Sequence, residues 1–425
     1  MAKPIDLSVD FCGFKLINPF MLSSSPVSNS AEMVERAFEA GWAGVAYKTI
    51  VSDRLPIIHP SPRMNGYFGS GKQLVGVQNV EQTSDRGLKA NLLDIMYLKK
   101  HWPDRLVMSS IMGFSNQEWA DLSKASEDAG ADMLEVNVSC PHMTVEGSGA
   151  KVGQVQDLVQ KFTETCRNSC SLPIVAKMTP NITDITVPAV YAKKGGADGI
   201  AAINSVAGLS GVDIDNCVPN PNVFGKGAAS GFTGPAIKPI GLRYVAELAQ
   251  CRELGLPISG IGGIETWVDA LEYLLLGSTT IQVTTGIIHY GQQIVGSMIE
   301  GLSDYMALKG ISRVKDLVGK ALPNLHETHD FDLKRQGIAQ YDLDRCIGCG
   351  QCYTVCKDAG GWALDWDAQN RRPVLDEKKC LSCMVCSFAC PVEGLITFKE
   401  MPSTYRRADT VTLGEGLEKQ LKAKC

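Results

Sequence analysis

The feature that most constrains the fold of this chain is a regular alternation of apolar runs and amphipathic stretches between about residues 17 and 310. Helical patterns such as "AEMVERAFEAG" and "TWVDALEYLLLG" end on glycine, a common helix stop. The runs between them are short, apolar and rich in β-branched residues, and they predict strands at 19–25, 43–49, 106–113, 133–139, 173–179, 199–205, 257–263 and 280–286. Strands that are apolar on both faces and alternate with helices are typical of a covered parallel sheet.

The number of strand–helix units favours one particular α/β architecture. Eight units in roughly 290 residues match a closed (β/α)8 TIM barrel. An open doubly wound sheet is the alternative, but no glycine fingerprint for a dinucleotide follows the first strand. Residues 53–85 and 206–234 are rich in Pro, Gly and Ser and follow strand ends. We therefore expect both segments on the C-terminal face of the barrel, where barrel active sites are built.

Eight of the 15 cysteines are crowded into two repeats, "CIGCGQCYTVC" and "CLSCMVCSFACP". Both repeats follow Cys-x2-Cys-x2-Cys-x3-Cys, the spacing of bacterial ferredoxins in which each fourth cysteine binds the other cluster. Zinc is the alternative, but zinc needs only four ligands and ordinarily uses two Cys-x2-Cys pairs. We predict a small ferredoxin-like α+β module with two [4Fe–4S] clusters, one held by Cys346, Cys349, Cys352 and Cys390, the other by Cys380, Cys383, Cys386 and Cys356.

These patterns predict four segments: a barrel with the catalytic site (1–310), a connecting segment (311–340), the cluster module (341–400) and a polar C-terminal tail (401–425). A net charge of −5 provides no basic field for binding nucleic acid. The sequence contains no run of 18 apolar residues, so we expect no membrane span. The N-terminus lacks the pattern of a signal peptide. We expect a cytoplasmic protein.

Two neighbouring clusters imply electron transfer, which requires a further redox group in the barrel. No Walker loop and no strand–GxGxxG–helix unit for a nicotinamide or FAD is found in the sequence. "GIGG" at 260–263 ends the seventh strand and predicts a phosphate in the loops after strands 7 and 8. A phosphate site beside an electron carrier implies a flavin, and FMN is the monophosphate form. The reductant must then come from another polypeptide.

Polar residues at strand ends suggest which groups face the ligands. Lys48 and Lys177 are costly to bury unless they meet negative charge, such as that on a reduced flavin. The alternative is a lysine that reaches solvent at the barrel rim. Asn79, Asn137 and Asn204 offer amide donors and acceptors that complement a cyclic imide or ureide. Singly, such asparagines are more often turn or cap residues.

Cys140 lies in "NVSCPHM", just past the fourth strand and with no cysteine neighbour in sequence. A free cysteine is most often a buried structural thiol. The position in a Ser-Cys-Pro turn after a strand favours exposure to the site instead. Because a thiol is mostly protonated at neutral pH, we predict that Cys140 acts as a general acid.

At these residues the chain resembles the dihydropyrimidine dehydrogenases, within the wider group of class 1 dihydroorotate dehydrogenase-like barrels. It looks like the pyrimidine-reducing subunit of their bacterial two-subunit form. The resemblance extends over nearly the whole chain and is carried by "AFEAGWAGVAYKT", "NVSCPH", "AKMTPNITDI", "INSVAGL", "GPAIKPI", "GGIET" and both cysteine repeats.

The resemblance implies a residue assignment, with Cys140 as the general acid and base. It places flavin contacts at Ser24, Lys48, Thr49, Lys177, Gly234, Gly262, Gly263, Thr284 and Thr285. It places pyrimidine contacts at Asn79, Asn137, Ser139, Asn204 and Ser205.

The resemblance also implies the reaction and the partner. We expect reversible reduction of the 5,6 double bond of uracil or thymine by FMN. NAD(H) or its phosphate would be used through a partner FAD-containing flavoprotein subunit in a hetero-oligomer. Alternatives are a related FMN enzyme acting on dihydroorotate or a hydantoin-like ring, a flavin enzyme that reduces uridine in transfer RNA, and an electron-carrier subunit with an idle barrel.

Overall fold

The computed structural model describes residues 5–54, 57–139 and 150–405. The chain divides into two compact units, Met1–Leu325 and His326–Cys425. The segment 311–340 is split by this boundary. Val314 and Leu317 are buried in the first unit, whereas Gly337–Tyr341 is a strand of the second. Within the described residues, no helix combines the length and the apolar character needed to cross a membrane.

The first unit is the predicted closed barrel of eight parallel strands. We number these barrel strands β1 to β8: Phe20–Leu22, Gly44–Ile50, Leu106–Ile111, Met133–Asn137, Ile174–Lys177, Gly199–Ala202, Ile258–Ile261 and Ser278–Val283. Each strand pairs with the next one along the chain, and β8 pairs with β1 to close the barrel. All eight predicted strands are therefore confirmed: six are shorter than predicted, β2 is shifted by one residue at equal length, and β8 begins two residues earlier and ends three residues earlier.

Eight helices follow these strands in turn. We number them α1 to α8: Ala31–Ala40, Leu88–His101, Asn116–Asp128, Gln156–Arg167, Thr186–Lys194, Lys238–Gln250, Trp267–Leu275 and Ile294–Leu308. Helix α1 shows why they form: the Ser30 side chain accepts from the Met33 N–H at its start, and Gly41 ends it at a φ of 113°. Val34, Ala37 and Phe38 form its buried stripe, with helical spacing.

A hairpin and two short helices lie outside the regular strand–helix units of the first unit. A hairpin of Val9–Phe11 and Phe14–Leu16 precedes β1, and its Phe11 and Leu16 are fully buried. Short helices lie at Ala150–Gly153, before α4, and Thr285–Tyr290, after β8. Single 3-10 turns of the first unit lie at Pro26–Ser28, Ser70–Lys72, Pro235–Ile237, Val314–Asp316 and Leu322–Asn324. Those of the second unit lie at Thr328–Asp330, Leu343–Arg345 and Glu377–Lys379.

The segments 53–85 and 206–234 form a second sheet, which we call the cap sheet. Its four antiparallel strands are, in spatial order, Val206–Gly208, Ser230–Thr233, Leu74–Asn79 and Met64–Phe68. Gln78 ties the two segments together, because its amide nitrogen donates to Ser230 Oγ (2.8 Å) and its amide oxygen accepts from the Ser210 N–H (2.6 Å). A smaller pair, Val212–Asp213 and Val218–Pro219, extends from the later segment.

The second unit has the predicted ferredoxin-like α+β form, built from two similar halves. The strands Gly337–Tyr341 and Ile396–Glu400 pair antiparallel, as do Leu364–Asp367 and Arg372–Leu375. A cysteine repeat runs into each of two helices, Gln351–Ala359 and Val385–Ala389. The small core of the second unit combines aliphatic side chains with four cysteines. It comprises Ile338, Ala339, Cys352, Cys356, Ala363, Leu364, Cys380, Cys386, Leu395 and Ile396.

Candidate active site and cluster sites

A cavity with about 1000 Å³ of empty space, part of it open to solvent, lies at the carboxyl ends of the barrel strands. Strand ends and the cap sheet line it together. Its lining includes all nine predicted flavin contacts, namely Ser24, Lys48, Thr49, Lys177, Gly234, Gly262, Gly263, Thr284 and Thr285. It also includes four of the five predicted substrate contacts, Asn79, Asn137, Asn204 and Ser205. The structure thus gathers residues that lie far apart in sequence into one site.

An irregularity in strand β2 places two successive residues on the cavity. Successive side chains of a regular strand face opposite sides. The pairing of β2 with β3 shifts register between Tyr47 and Ile50, and both Lys48 and Thr49 line the cavity. Such irregularities re-aim side chains near active sites.

Each of the two predicted lysines has a protein carboxylate beside it. Lys48 Nζ lies 3.0 Å from Glu81 Oε1, and Lys177 Nζ lies 3.2 Å from Glu135 Oε1. All four side chains are almost fully buried. The glutamates therefore supply much of the negative charge that the burial of these lysines demands.

Two further basic side chains from the segment 53–85 lie close to the Glu81 carboxylate. Arg63 Nη1 and His59 Nε2 lie 3.4 and 3.6 Å from its Oε1. Burial lowers the pKa of His59, and the neighbouring Glu81 charge opposes that effect. The ring nitrogen Nδ1 of His59 accepts from the Gln82 N–H, which directs the Nε2 proton toward Glu81 and Asp85.

The asparagines form two groups within the cavity. Asn79 ends a cap strand, and its side-chain oxygen accepts from the Glu81 N–H. Asn137 ends β4 and Asn204 follows β6, and the Asn204 amide nitrogen lies 3.5 Å from Asn137 Oδ1. Ser205 donates its N–H to Asn204 Oδ1. The amides of these side chains are thus held by neighbours rather than free to rotate.

Ser139 and Cys140 differ from the other predicted contacts. Ser139 is fully buried behind the cavity lining, where its hydroxyl donates to Asn137 Oδ1 and accepts from the Asn204 amide nitrogen at 2.8 Å. Cys140 lies outside the described residues, immediately after Ser139 in the sequence. Its role as general acid stays a prediction.

Glycine loops form a further part of the cavity wall. Gly234, Gly262 and Gly263 all have positive φ values, of 98°, 130° and 69°. A Cβ on Gly263 would lie 2.8 Å from the Gly234 carbonyl oxygen, so no other residue fits there without movement. With Thr284 and Thr285 beside them, these loops offer backbone and hydroxyl donors of the kind that hold a phosphate.

Glu81, Glu135 and Gln282 were missed by the sequence reasoning. Gln282 lines the cavity, and its buried Oε1 has no hydrogen-bond partner among the described residues. Glu135 carried a usable signal, since it is the one charged residue inside the apolar run "MLEVNVS". Glu81 and Gln282 carried none, because polar residues in loops and at strand ends are common.

The first cysteine group meets as the ferredoxin spacing predicts. Cys346, Cys349 and Cys352 of the first repeat and Cys390 of the second line one cavity with about 340 Å³ of empty space. Ile347, Trp366 and Ile396 are among its apolar lining residues. The Gly348 N–H donates to Cys346 Sγ at 3.5 Å. Cys390 is thus placed with the cysteines of the other repeat.

Cys386 lies close to the other three cysteines of the second predicted group. Burial raises the pKa of Cys386, the Tyr341 hydroxyl lowers it through a hydrogen bond, and the thiols of Cys356, Cys380 and Cys383 raise it further. The Ala339 N–H donates to Cys380 Sγ at 3.5 Å. Among the described residues, no three Cys, His, Asp or Glu side chains are placed to hold a single metal ion.

A barrel with a strand-end cavity, joined to a ferredoxin-like module, defines a class of iron–sulfur oxidoreductases. Residues 6–306 match the dihydroorotate dehydrogenase family and residues 339–398 match the 4Fe–4S dicluster domain. The chain belongs to the dihydroorotate dehydrogenase family and carries a 4Fe–4S dicluster domain. Iron–sulfur clusters and a flavin are the cofactors that these two domains indicate.

Relatives with known names confirm the resemblance noted in the sequence. The chain is 44% identical over 400 residues to the NAD-dependent dihydropyrimidine dehydrogenase subunit PreA of Escherichia coli K12, covering 93% of this chain and 96% of that protein. It is 38% identical over 342 residues to the chloroplastic dihydropyrimidine dehydrogenase (NADP(+)) of Arabidopsis thaliana, covering 78% and 80%. The catalytic subunit of dihydroorotate dehydrogenase B (NAD(+)) of Pyrococcus abyssi is 35% identical over 317 residues, covering 74% and 99%.

Proposed function

We propose that this chain is the pyrimidine-reducing subunit of a dihydropyrimidine dehydrogenase, which reversibly reduces the 5,6 double bond of uracil or thymine. One observation carries the proposal: three asparagine side chains converge on a cavity that is also lined by two buried lysines, each with a buried glutamate beside it. The names of two relatives, from Escherichia coli and Arabidopsis thaliana, support the same reaction.

The polar lining suits a neutral ring with alternating carbonyl and N–H groups. Asn79, Asn137 and Asn204 present amides with both donors and acceptors from two sides of the cavity. Ser205 lies beside Asn204 and adds a hydroxyl. These residues orient the ring and stabilise the charge that develops on a ring carbonyl during reduction.

The pairing of Lys48 with Glu81 favours uracil over orotate as the substrate. Orotate carries a carboxylate that needs a basic partner. Lys48 is already paired with Glu81, and Arg63 lies against the same carboxylate. A second carboxylate here would meet the charge of Glu81, so the dihydroorotate reaction of the Pyrococcus relative is the less favoured alternative.

The glycine side of the cavity fits the cofactor that the family indicates. Gly234, Gly262 and Gly263 would hold the phosphate of FMN through backbone groups, with Thr284 and Thr285 adding donors. Lys48 and Lys177 would lie against its ring system, together with Ser24 and Thr49. When bound, FMN supplies a hydride to one carbon of the pyrimidine double bond.

Cys140 completes the reaction in this proposal by donating its thiol proton to the adjacent ring carbon. The product is a 5,6-dihydropyrimidine, and the thiolate recovers a proton from water. In the reverse direction the thiolate removes that proton. Its place in the sequence, directly after Ser139 at the end of β4, supports the role because Ser139 contacts both Asn137 and Asn204.

The two clusters carry electrons from a partner in the proposed enzyme. No dinucleotide fingerprint is found in this sequence, so NAD(P)H would be oxidised on a separate FAD-containing flavoprotein subunit. The word subunit in the name of the Escherichia coli relative supports a hetero-oligomer.

The test is anaerobic reconstitution with iron, sulfide and FMN, followed by reduction with dithionite and addition of uracil, thymine or orotate. We expect uracil and thymine to reoxidise the flavin, seen by its absorbance, and orotate to do so poorly. Cys140→Ala should bind FMN normally but react on the order of 10²–10⁴-fold more slowly. Cys217→Ala, at an exposed cysteine, is the matched control. A reconstituted protein that holds FMN and iron but reduces neither uracil nor thymine contradicts the proposal.

A further inference from the structure

A chain of hydrogen bonds leads from the buried carboxylate of Glu135 to the proposed substrate site. Glu135 is fully buried in strand β4, behind the residues that line the cavity. Its Oε1 accepts from Ser110 Oγ at 2.8 Å and lies 3.2 Å from Lys177 Nζ. Ser110 Oγ lies 2.9 Å from Thr49 Oγ1, and Thr49 lines the cavity.

The charge of Glu135 fixes which atom is the donor in every bond of this series of hydrogen bonds. A carboxylate only accepts, so the single hydroxyl proton of Ser110 is committed to Glu135. Ser110 Oγ must therefore accept from Thr49, which commits the Thr49 proton in turn. Thr49 Oγ1 is then left as an acceptor for the Asn137 amide nitrogen and for Ser24, each at 2.9 Å.

The donor-to-acceptor direction of these hydrogen bonds continues through Asn137 and Asn204. Because the Asn137 amide nitrogen faces Thr49, its oxygen faces Ser139 and Asn204. Asn204 accordingly turns its amide nitrogen toward Asn137 and its oxygen toward Ser205. Every donor in this series of hydrogen bonds thus points toward the Glu135 carboxylate. This leaves a defined set of N–H groups and lone pairs for a ligand.

We propose that Glu135 is a positioning residue that sets the hydrogen-bond direction of the substrate amides and balances the charge of Lys177 beside the flavin. The proposal rests on the function proposed above. Glu135 does not touch the ligands in this account, since it lies behind Thr49, Asn137 and Lys177. It acts through them in two separable ways, one by hydrogen bonds and one by charge.

Two substitutions separate these two effects. Ser110→Ala removes the link between Thr49 and Glu135 but keeps the charge. Glu135→Gln removes the charge, and its amide can donate to Ser110 and so allow the chain to reverse. Ser109→Ala is the matched control, because Ser109 is the preceding residue on β3 and contacts Ser126 of helix α3 instead.

The measurements are the KM and kcat for uracil, the Kd for FMN and the flavin midpoint potential by spectroelectrochemistry. We expect Ser110→Ala to raise the KM for uracil on the order of tenfold, because Thr49 loses its acceptor, and to leave the potential unchanged. Glu135→Gln should raise the KM similarly and also shift the potential to more positive values, because an uncompensated Lys177 favours anionic reduced flavin. Ser109→Ala should match the wild type in all four quantities.

The outcomes distinguish the positioning role from the proposed function. A wild-type chain that binds no FMN contradicts the proposed function and this inference with it. An active wild type, together with a Ser110→Ala variant of unchanged KM, overturns the hydrogen-bond role. An unchanged potential in Glu135→Gln overturns the charge role. If Glu135→Gln does not fold, Ser110→Ala still decides the hydrogen-bond role.

Discussion

Lys48 and Glu81 illustrate how this site is built at the scale of single residues. The sequence singles out the lysine, since a cation in an apolar strand end needs compensation. It does not single out the glutamate, which follows a cap strand and reaches Lys48 only in the folded chain. Lys48 therefore already faces a carboxylate in the folded chain, and the proposed preference for a neutral ring rests on this pairing.

Replacing Glu81 with glutamine should change which ligand the cavity prefers. The variant keeps the shape of the side chain but removes the charge that opposes a ligand carboxylate. We expect the affinity for orotate relative to uracil to rise on the order of tenfold, as measured by titration of the flavin absorbance. Asp85→Asn is the matched control, because Asp85 also faces His59 but does not line the cavity. An unchanged affinity ratio in Glu81→Gln argues against this account of selectivity.

At the scale of elements, the cap sheet and the glycine loops form adjoining parts of the cavity wall. The cap strand that ends at Asn79 pairs with Ser230–Thr233, and Gly234 follows directly. A Cβ on Gly234 would lie 3.0 Å from Gly76 Cα, so the cap sheet and the glycine loop are in close contact. A substitution in one of these loops therefore affects the cavity wall as well as the local backbone.

Gly263→Ala tests the proposed phosphate loop. The added Cβ would lie 2.8 Å from the Gly234 carbonyl oxygen and 3.0 Å from Lys238 N. We expect loss of bound FMN after desalting and a lower unfolding temperature. Gly310→Ala is the matched control, since Gly310 has a similar φ of 67° but nothing within 4 Å of an added Cβ. Both variants bear a backbone strain of about 1–2 kcal/mol, and only Gly263→Ala should lose FMN. Equal FMN retention in the two would count against the phosphate loop.

At the scale of the whole molecule, the chain joins two units with different tasks. The first contains the candidate active site, and the second contains the eight cysteines of the dicluster domain. Cys390 lines a cavity with the first three cysteines of the other repeat. The two repeats are thus interleaved, and neither predicted cluster depends on one repeat alone.

Cys390→Ser should separate electron supply from pyrimidine chemistry. We expect the cluster held by Cys346, Cys349 and Cys352 to be lost, with about half of the iron, because its fourth ligand is removed. Iron analysis and electron paramagnetic resonance measure this loss, and Cys217→Ser serves as the control. Uracil reduction with dithionite should persist, whereas reduction through a partner subunit should fail. A variant that keeps the iron content of the wild type contradicts the interleaved assignment.

The periodicity of the apolar residues and the spacing of the cysteines were sufficient to predict the architecture. Eight apolar strands require a covered parallel sheet because each buries both faces, and the thiol spacing specifies two clusters through local geometry. The lysines and asparagines of the candidate site were predictable because polar residues at strand ends of a barrel meet on one face, whereas most of the other contacts were implied only by the family resemblance. The pairing of 53–85 with 206–234, the β2 irregularity and the partners of the two lysines were decided only by the tertiary structure. These features depend on contacts between distant segments, and no local pattern of residues encodes such contacts.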